Sequence, residues 1–410
     1  MKIKKNRLPR LVAALLTALA LLPATGQEPG APSSERWVIW SEQPAGQWED
    51  AFVTGNGRQG TLVMGRTGAE RITCVHEELF LRSWDREIKA VADIADLLPE
   101  VRRLLDAGKP IKAQNLANRR ARQQLNDLGA RGIWPLMPHP AFDLKIDHTA
   151  AGNPSNYRRE LDLESGQTRS YWSDAEGGVE QRVFSSRVDD VNVVSLRGLA
   201  GRKLDLSLSL AETPGRSGEH LGIDLDRAFG SVKSEATANS LYYHADYAQD
   251  RGGYEAIARV TTESGKLIRE GAALRVTDAD AVLVTIRIQP LEDAAASQRE
   301  ALEAAMAALP DAYGALLEPH ARAHGEMFRR VTLDLAAADQ WAEMSTEAQI
   351  NVSSAQGTTP LFLEQAHAMG RYVLISTSGR YPAPLQGIWG GGWRPAWLGA
   401  FVLDSNVNLA

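Results

Sequence analysis

The spacing of apolar positions changes character along the chain. Between Phe142 and Pro290 it keeps the two-residue period of strands, most clearly at residues 181–184, 191–196, 204–210 and 281–288, with turn-rich stretches such as 198–202 between them. Alternation with no intervening helices predicts antiparallel sheets, in the form of a large β-sandwich. The same domain opens earlier, at Trp37-Val38-Ile39-Trp40. There Asn56-Gly57 between apolar flanks signals a tight turn, and residues 60–65 read as a strand. A helical insert interrupts it at about 91–128. Residues 97–105 have helical spacing and end near Gly108-Lys109-Pro110, and a second helix follows from about Ile111 to Gln124.

Helical spacing returns after Leu291. Residues 294–309 are alanine-rich and stop at Pro310, and residues 313–330 follow, kinked or restarted at Pro319. Residues 331–335 read as a short strand and 341–358 as a polar loop. Thr359 then caps a helix with Pro360 at its first position and Phe362, Ala366, Met369 and Val373 as its buried stripe. The pattern therefore predicts an α+β multidomain chain: a sandwich over 35–290, a helical linker over 291–335, and a further domain beginning at 358.

Met1 to roughly Gly26 has the build of a secretory signal peptide. Lys2, Lys4, Lys5, Arg7 and Arg10 precede an apolar run from Leu11 to Leu22, and Ala24-Thr25-Gly26 supplies small residues for cleavage. The run is too short to span a bilayer, which takes about 20 residues, so export to the periplasm or exterior is expected, without a stable membrane anchor. Cys74 is the single cysteine, so no internal disulfide forms. His320 and His324 stand one helical turn apart, but Ala321 occupies the place of a zinc-protease glutamate and no third ligand is evident. No metal and no cofactor is called for. A net charge of -6 with mixed signs argues against a nucleic-acid partner. The glycines around Asn56 are not a phosphate loop, since no G-K-S/T and no helix follows.

Trp389, Trp393 and Trp397 fall four residues apart, yet Gly390, Gly391, Gly392 and Pro395 lie among them. These would cost a helix roughly 6 kcal/mol in propensity, so the stretch reads as a loop. Flat rings in a loop suit stacking on a sugar; they equally suit plugging a domain junction. Asn406 and Asn408, two apart, would present two carboxamides to one point from an extended segment, and so hold one water. Neutral amides are poor proton acceptors, so a base would need a carboxylate nearby. Two turn asparagines would give the same pattern.

Gly370-Arg371-Tyr372-Val373-Leu374-Ile375-Ser376, Leu385-Gln386-Gly387-Ile388-Trp389, Pro395-Ala396-Trp397 and Asn406-Val407-Asn408-Leu409, in that order, resemble the start of the catalytic domain of glycoside hydrolase family 95. This is the inverting α-L-fucosidase and α-L-galactosidase family. Gly55-Asn56-Gly57-Arg58-Gln59-Gly60 resembles a signature of the family's N-terminal sandwich, and His76-Glu77 stands where Asn-Glu is usual. Residues 157–163 and Phe184-Ser185-Ser186 match the same domain.

The resemblance implies that residues 358–410 form only the first part of an (α/α)6 barrel. It implies a glycan substrate with terminal α-L-fucosyl or α-L-galactosyl residues, attacked by a water that Asn406 and Asn408 hold. A glutamic acid protonates the leaving oxygen and an aspartate polarises the asparagine pair. Both are expected beyond Ala410, which would leave a chain ending there inactive. Asp404-Ser405 replaces the family's His-Thr, so Asp404 joins Trp389, Trp393 and Trp397 as a candidate substrate-binding residue. A carboxylate in place of an imidazole changes which hydroxyls are favoured. Pro384 likewise departs from the family's usual asparagine. The alternative from another class is a non-catalytic carbohydrate-binding or structural sandwich.

Overall fold

A computed structural model describes residues 37–81, 92–127, 137–149, 152–220, 223–249, 251–337 and 344–399. Residues 1–26, read above as a signal peptide, and Asp404, Asn406 and Asn408 lie outside the described residues.

Two antiparallel sheets form the sandwich. The nine-stranded sheet runs, edge to edge, through Val38–Ser41, Ser155–Asp162, Gln167–Asp174, Gly177–Ser185, Asn192–Leu199, Ala281–Leu291, Gly253–Glu263, Ser240–Tyr247 and Phe229–Ala236. The seven-stranded sheet runs through Lys266–Glu270, Ala273–Ala279, Leu204–Ala211, Phe142–His148, Ala69–His76, Gln59–Val63 and Phe52–Gly55. Leu206, Leu208 and Leu210 show why Leu204–Ala211 alternates: its leucines are buried between the sheets while Asp205, Ser207 and Ser209 face away.

Asn192–Leu199 and Ala281–Leu291 alternate less cleanly because the nine-stranded sheet is covered on both faces. Val194, Val284 and Ala258 point at the other sheet, whereas their neighbours Val193, Leu283 and Ile257 meet helices. Those helices are the linker. The insert holds α1 (Leu98–Asp106) and α2 (Pro110–Asp127); the linker holds α3 (Arg299–Ala307) and α4 (Tyr313–Phe328). Leu302 and Met306 of α3 and Leu316 and Leu317 of α4 fill the outer face of the sheet. Glu255, fully buried, fastens α3: its carboxylate accepts from Gln298 N–H at 2.6 Å, Ser297 Oγ at 2.7 Å and Tyr242 OH at 2.9 Å.

Several expectations need correction. Residues 331–335 form no strand, and Val331 and Leu335 are 52 % and 41 % exposed. The Leu335 and Ala337 N–H groups donate instead to the buried carboxylate of Glu364. The stretch read as a polar loop contains α5 (Thr346–Gln356), capped by Ser345, whose Oγ accepts from Ala348 N–H, and ended at Gly357. It has no apolar stripe, since its one buried residue is Gln349, and so it gave no periodic signal. Pro319 lies inside α4 without ending it. The following helix, α6 (Pro360–Thr377), starts at the expected Thr359 cap, with Thr359 Oγ1 accepting from Phe362 N–H. Its buried face is turned by one position, to Leu361, Gln365, Ala368 and Tyr372, and includes Glu364. Buried polar groups that hydrogen-bond to coil are invisible to a hydrophobic stripe.

Candidate active-site junction

The two sequence blocks that resemble family 95 most, about 320 residues apart, touch each other. Gly55–Gly60 is the hairpin joining Phe52–Gly55 to Gln59–Val63. Asn56 shapes it: Oδ1 accepts from Arg58 and Gln59 N–H at 2.8 and 2.9 Å, and Nδ2 donates to the Ser186 carbonyl at 2.8 Å. Gly57 has φ +92° and donates its N–H to the Ser376 carbonyl, in the last turn of α6, at 2.9 Å. A Cβ there would be driven into the Ser378 carbonyl oxygen, so turn conformation and close approach both require glycine. The sandwich turn thus satisfies a carbonyl that the helix end leaves unpaired.

Arg187 closes this contact from the other sheet. Its guanidinium donates to the Asn56 carbonyl at 3.2 Å and to the Ile375 carbonyl of α6, and its backbone N–H donates to His320 Nδ1 at 3.2 Å. A cation at a helix C-terminus is favoured by the helix dipole. Burial lowers its pKa to about 10, which leaves it charged at neutral pH. His320 and His324 lie on the buried face of α4, ring centroids 5.6 Å apart. Burial holds both well below the usual histidine range, to about 3 for His324.

From α6 the chain crosses residues 378–384 to a short strand, Leu385–Ile388, and then to the tryptophan loop. Trp389 is 5 % exposed and Trp393 2 %. The Trp389 indole packs with Leu62, Val75 and Ile388 and donates its N–H to the Thr54 carbonyl at 2.8 Å. Gly60 is what admits it, since a Cβ at that position would lie 2.8 Å from the indole nitrogen. Trp393 stacks on His139, centroids 5.4 Å apart and planes 9° from parallel, and donates to the Thr213 carbonyl at 2.7 Å. His139 in turn contacts Tyr247 OH through Nε2 at 2.8 Å, and burial lowers its pKa to about 4, so it packs as a neutral ring. Arg394 donates to the Ser217 and Glu219 carbonyls.

Glu77 completes the junction. It is buried, and its Oε2 accepts from Tyr381 N–H at 3.3 Å while Arg58 stands 3.9 Å from Oε1. Burial raises its pKa, with the Tyr381 N–H opposing. Beside it His76 is driven down to about 3 by burial first and by Arg58 second.

Of the sequence-predicted site residues, Trp389 and Trp393 are buried as two separate plugs between the sandwich and the segment after α6, each in its own apolar cluster. This is the domain-junction role the residues had left open, and in this structure it leaves their rings very little solvent-facing surface. Trp397 belongs to a short 3-10 turn, Ala396–Gly399. Asp404, Asn406 and Asn408 lie outside the described residues. Sequence reasoning missed Arg187 and His139. Each had a signal: Arg187 directly follows the matched Phe184-Ser185-Ser186, and His139 sits between Pro138 and Pro140.

Comparison with known proteins accounts for both halves. Residues 39–290, more than half the chain, match the glycosyl hydrolase family 65 N-terminal domain, and residues 312–410 match the glycosyl hydrolase family 95 catalytic domain. The chain is 23 % identical over 394 residues to alpha-L-fucosidase 2 of Arabidopsis thaliana, covering 89 % of this chain and 45 % of that protein. It is 24 % identical over 435 residues to a protein named probable alpha-fucosidase A of Aspergillus niger, covering 97 % and 49 %. It therefore spans about half the length of these relatives. A bacterial glucoamylase solved with acarbose aligns with a TM-score of 0.31 at 10 % identity, over 89 % of this chain and 48 % of that one. Matched over more than half its length, this chain belongs to the glycosyl hydrolases that carry a family 65 N-terminal domain, and its C-terminal part is similar to the family 95 catalytic domain.

Proposed function

We propose that the chain serves an exported, inverting glycoside hydrolase that removes terminal α-L-fucosyl, or α-L-galactosyl, residues from glycans. The observation that carries this reading is the match of residues 312–410 to the family 95 catalytic domain, together with relatives named as α-fucosidases. Its structural support is the junction. Gly57, Arg187, Trp389 and Trp393 fasten α6 and the following loop to the sandwich just before the segment that carries Asn406 and Asn408.

In this reading α6 is an early helix of an (α/α)6 barrel. Asn406 and Asn408 hold the attacking water, and Asp404 and Trp397 face the sugar. Inversion needs a general acid and a general base about 6.5–9.5 Å apart, on opposite faces of the sugar ring. Neither role is assigned to a described residue. Export rests on the residues 1–26 leader.

The test uses a protein with a catalytic domain of the relatives' full length. A water-positioning amide acts in the transition state more than in substrate binding, so Asn408→Ala should lower kcat by about 100-fold or more with little change in KM. Asn406→Ala should act in the same direction. The first-formed sugar, followed by NMR, should be the inverted anomer. Near-normal kcat in a folded Asn408→Ala protein, or a retained anomer, would overturn the proposal.

A further inference from the structure

A cleft of about 890 Å³ opens where three parts of the molecule meet. One wall is the end of the nine-stranded sheet, where Gly253 pairs with Leu291, and it carries Tyr247, Gln249 and Gln289. The opposite wall comes from the seven-stranded side, with Arg58, Glu78 and Phe80. Arg380, just past the end of α6, brings the catalytic segment to the rim. The cleft therefore borders the junction without including the buried tryptophans.

We propose that this cleft binds a neutral oligosaccharide, holding the body of a glycan while its terminal sugar is presented to the catalytic domain. The size lies within the range of about 300–1,000 Å³ typical of small-molecule sites. Most of the charge in the lining is compensated: Arg58 pairs with Asp190 at 2.7 Å, Arg380 with Glu78 at 3.7 Å, and Asp293 with Arg251, which leaves the single carboxylate of Glu292. No field of one sign is present to select an anion or a cation. What remains is the chemistry that recognises hydroxyl-rich rings. Phe80 and Tyr247 give flat apolar surface, and Gln249, Gln289 and Gln298 give planar amides, each able to donate and accept. The Oε1 atom of Gln249 is buried with no hydrogen-bond partner. A buried acceptor left unpaired is costly, and a sugar hydroxyl would satisfy it.

The glycan class rests on the proposed function above, but the binding is measured without catalysis. Calorimetric titration of the chain with 2′-fucosyllactose and with lacto-N-tetraose should show saturable binding to at least one of them. Gln249→Ala and Gln289→Ala, each melting at the parent temperature, should weaken that binding at least tenfold. Absence of saturable binding to both sugars, or binding undiminished in both variants, would overturn the inference. Hydrolysis of an aryl α-L-fucoside by a protein of the relatives' full length reads the catalytic proposal separately. Binding without hydrolysis leaves the cleft standing and counts against that proposal; hydrolysis without binding does the reverse.

Discussion

Trp389 separates a junction from a sugar platform most directly. If the indole is a plug, truncating it should be felt in folding, with no sugar present. The ring is 5 % exposed, in contact with Leu62, Val75 and Ile388, and its N–H is spent on the Thr54 carbonyl at 2.8 Å. Removing a buried tryptophan to alanine costs about 3–5 kcal/mol, through lost transfer energy and the cavity left behind. Phenylalanine keeps most of the apolar contact but removes the donor. A neutral hydrogen bond contributes about 0.5–1.5 kcal/mol net, and an acceptor left unpaired costs about 1–3 kcal/mol, so Trp389→Phe should lose about 1–2 kcal/mol. Urea unfolding followed by far-UV circular dichroism measures both, and limited proteolysis within residues 379–399 reports whether the loop has come away. The expected order is wild type, then Phe, then Ala, with early cleavage in the alanine variant. An alanine variant within about 0.5 kcal/mol of wild type, equally resistant to protease, would refute the plug and return the indole to the surface role.

Two further outcomes follow from the same contacts. Gly57→Ala combines φ +92° with a Cβ driven into the Ser378 carbonyl, so it should destabilise by about 2 kcal/mol or more; an unchanged melting temperature would show that α6 does not rest on the turn. The buried histidines set an acid limit: His76, His139 and His324 are lowered by burial from 6.5 to about 3, 4 and 3. The unfolded chain then takes up protons that the folded chain refuses, so stability present above pH 6.5 is lost as pH falls, by about 2 kcal/mol per histidine at pH 5. Glu70, raised by burial to about 7, has the opposite sign, gaining stability as pH falls through 7, and offsets about one histidine. The urea midpoint should therefore drop between pH 7 and pH 5; a constant or rising midpoint would contradict this.

The sandwich was legible because its signal is local. Leu204–Ala211 alternates between a core and a polar face, and the double coverage of Asn192–Leu199 and Ala281–Leu291 shows as longer apolar runs. The cap at Thr359 was equally local, a side chain meeting an N–H three residues on. What escaped detection depends on partners distant in the chain. Glu364 is buried mid-helix because coil N–H groups from residues 335 and 337 converge on it, and no pattern within α6 records that. Helix α5 lacks an apolar face, so its capping serine and the glycine at its end were its readable marks. The tryptophans were recognised as chemically significant, but whether a ring faces a ligand or a neighbouring domain is decided by what packs against it. His139 and Thr54, which decide it here, are some 250 and 335 residues away in sequence.

The junction also explains why one resemblance appears in two pieces. The hairpin of the sandwich and the end of α6 form a single structural unit. Gly57 supplies an N–H to Ser376, Gly60 leaves room for Trp389, and Arg187 reaches the Ile375 carbonyl from the second sheet. Gly57 and Arg187 meet backbone carbonyls of α6 and so fix where its main chain runs, whereas Gly60 makes room for the Trp389 side chain itself. The main chain from the end of α6 through the tryptophan loop is thereby held against the sandwich.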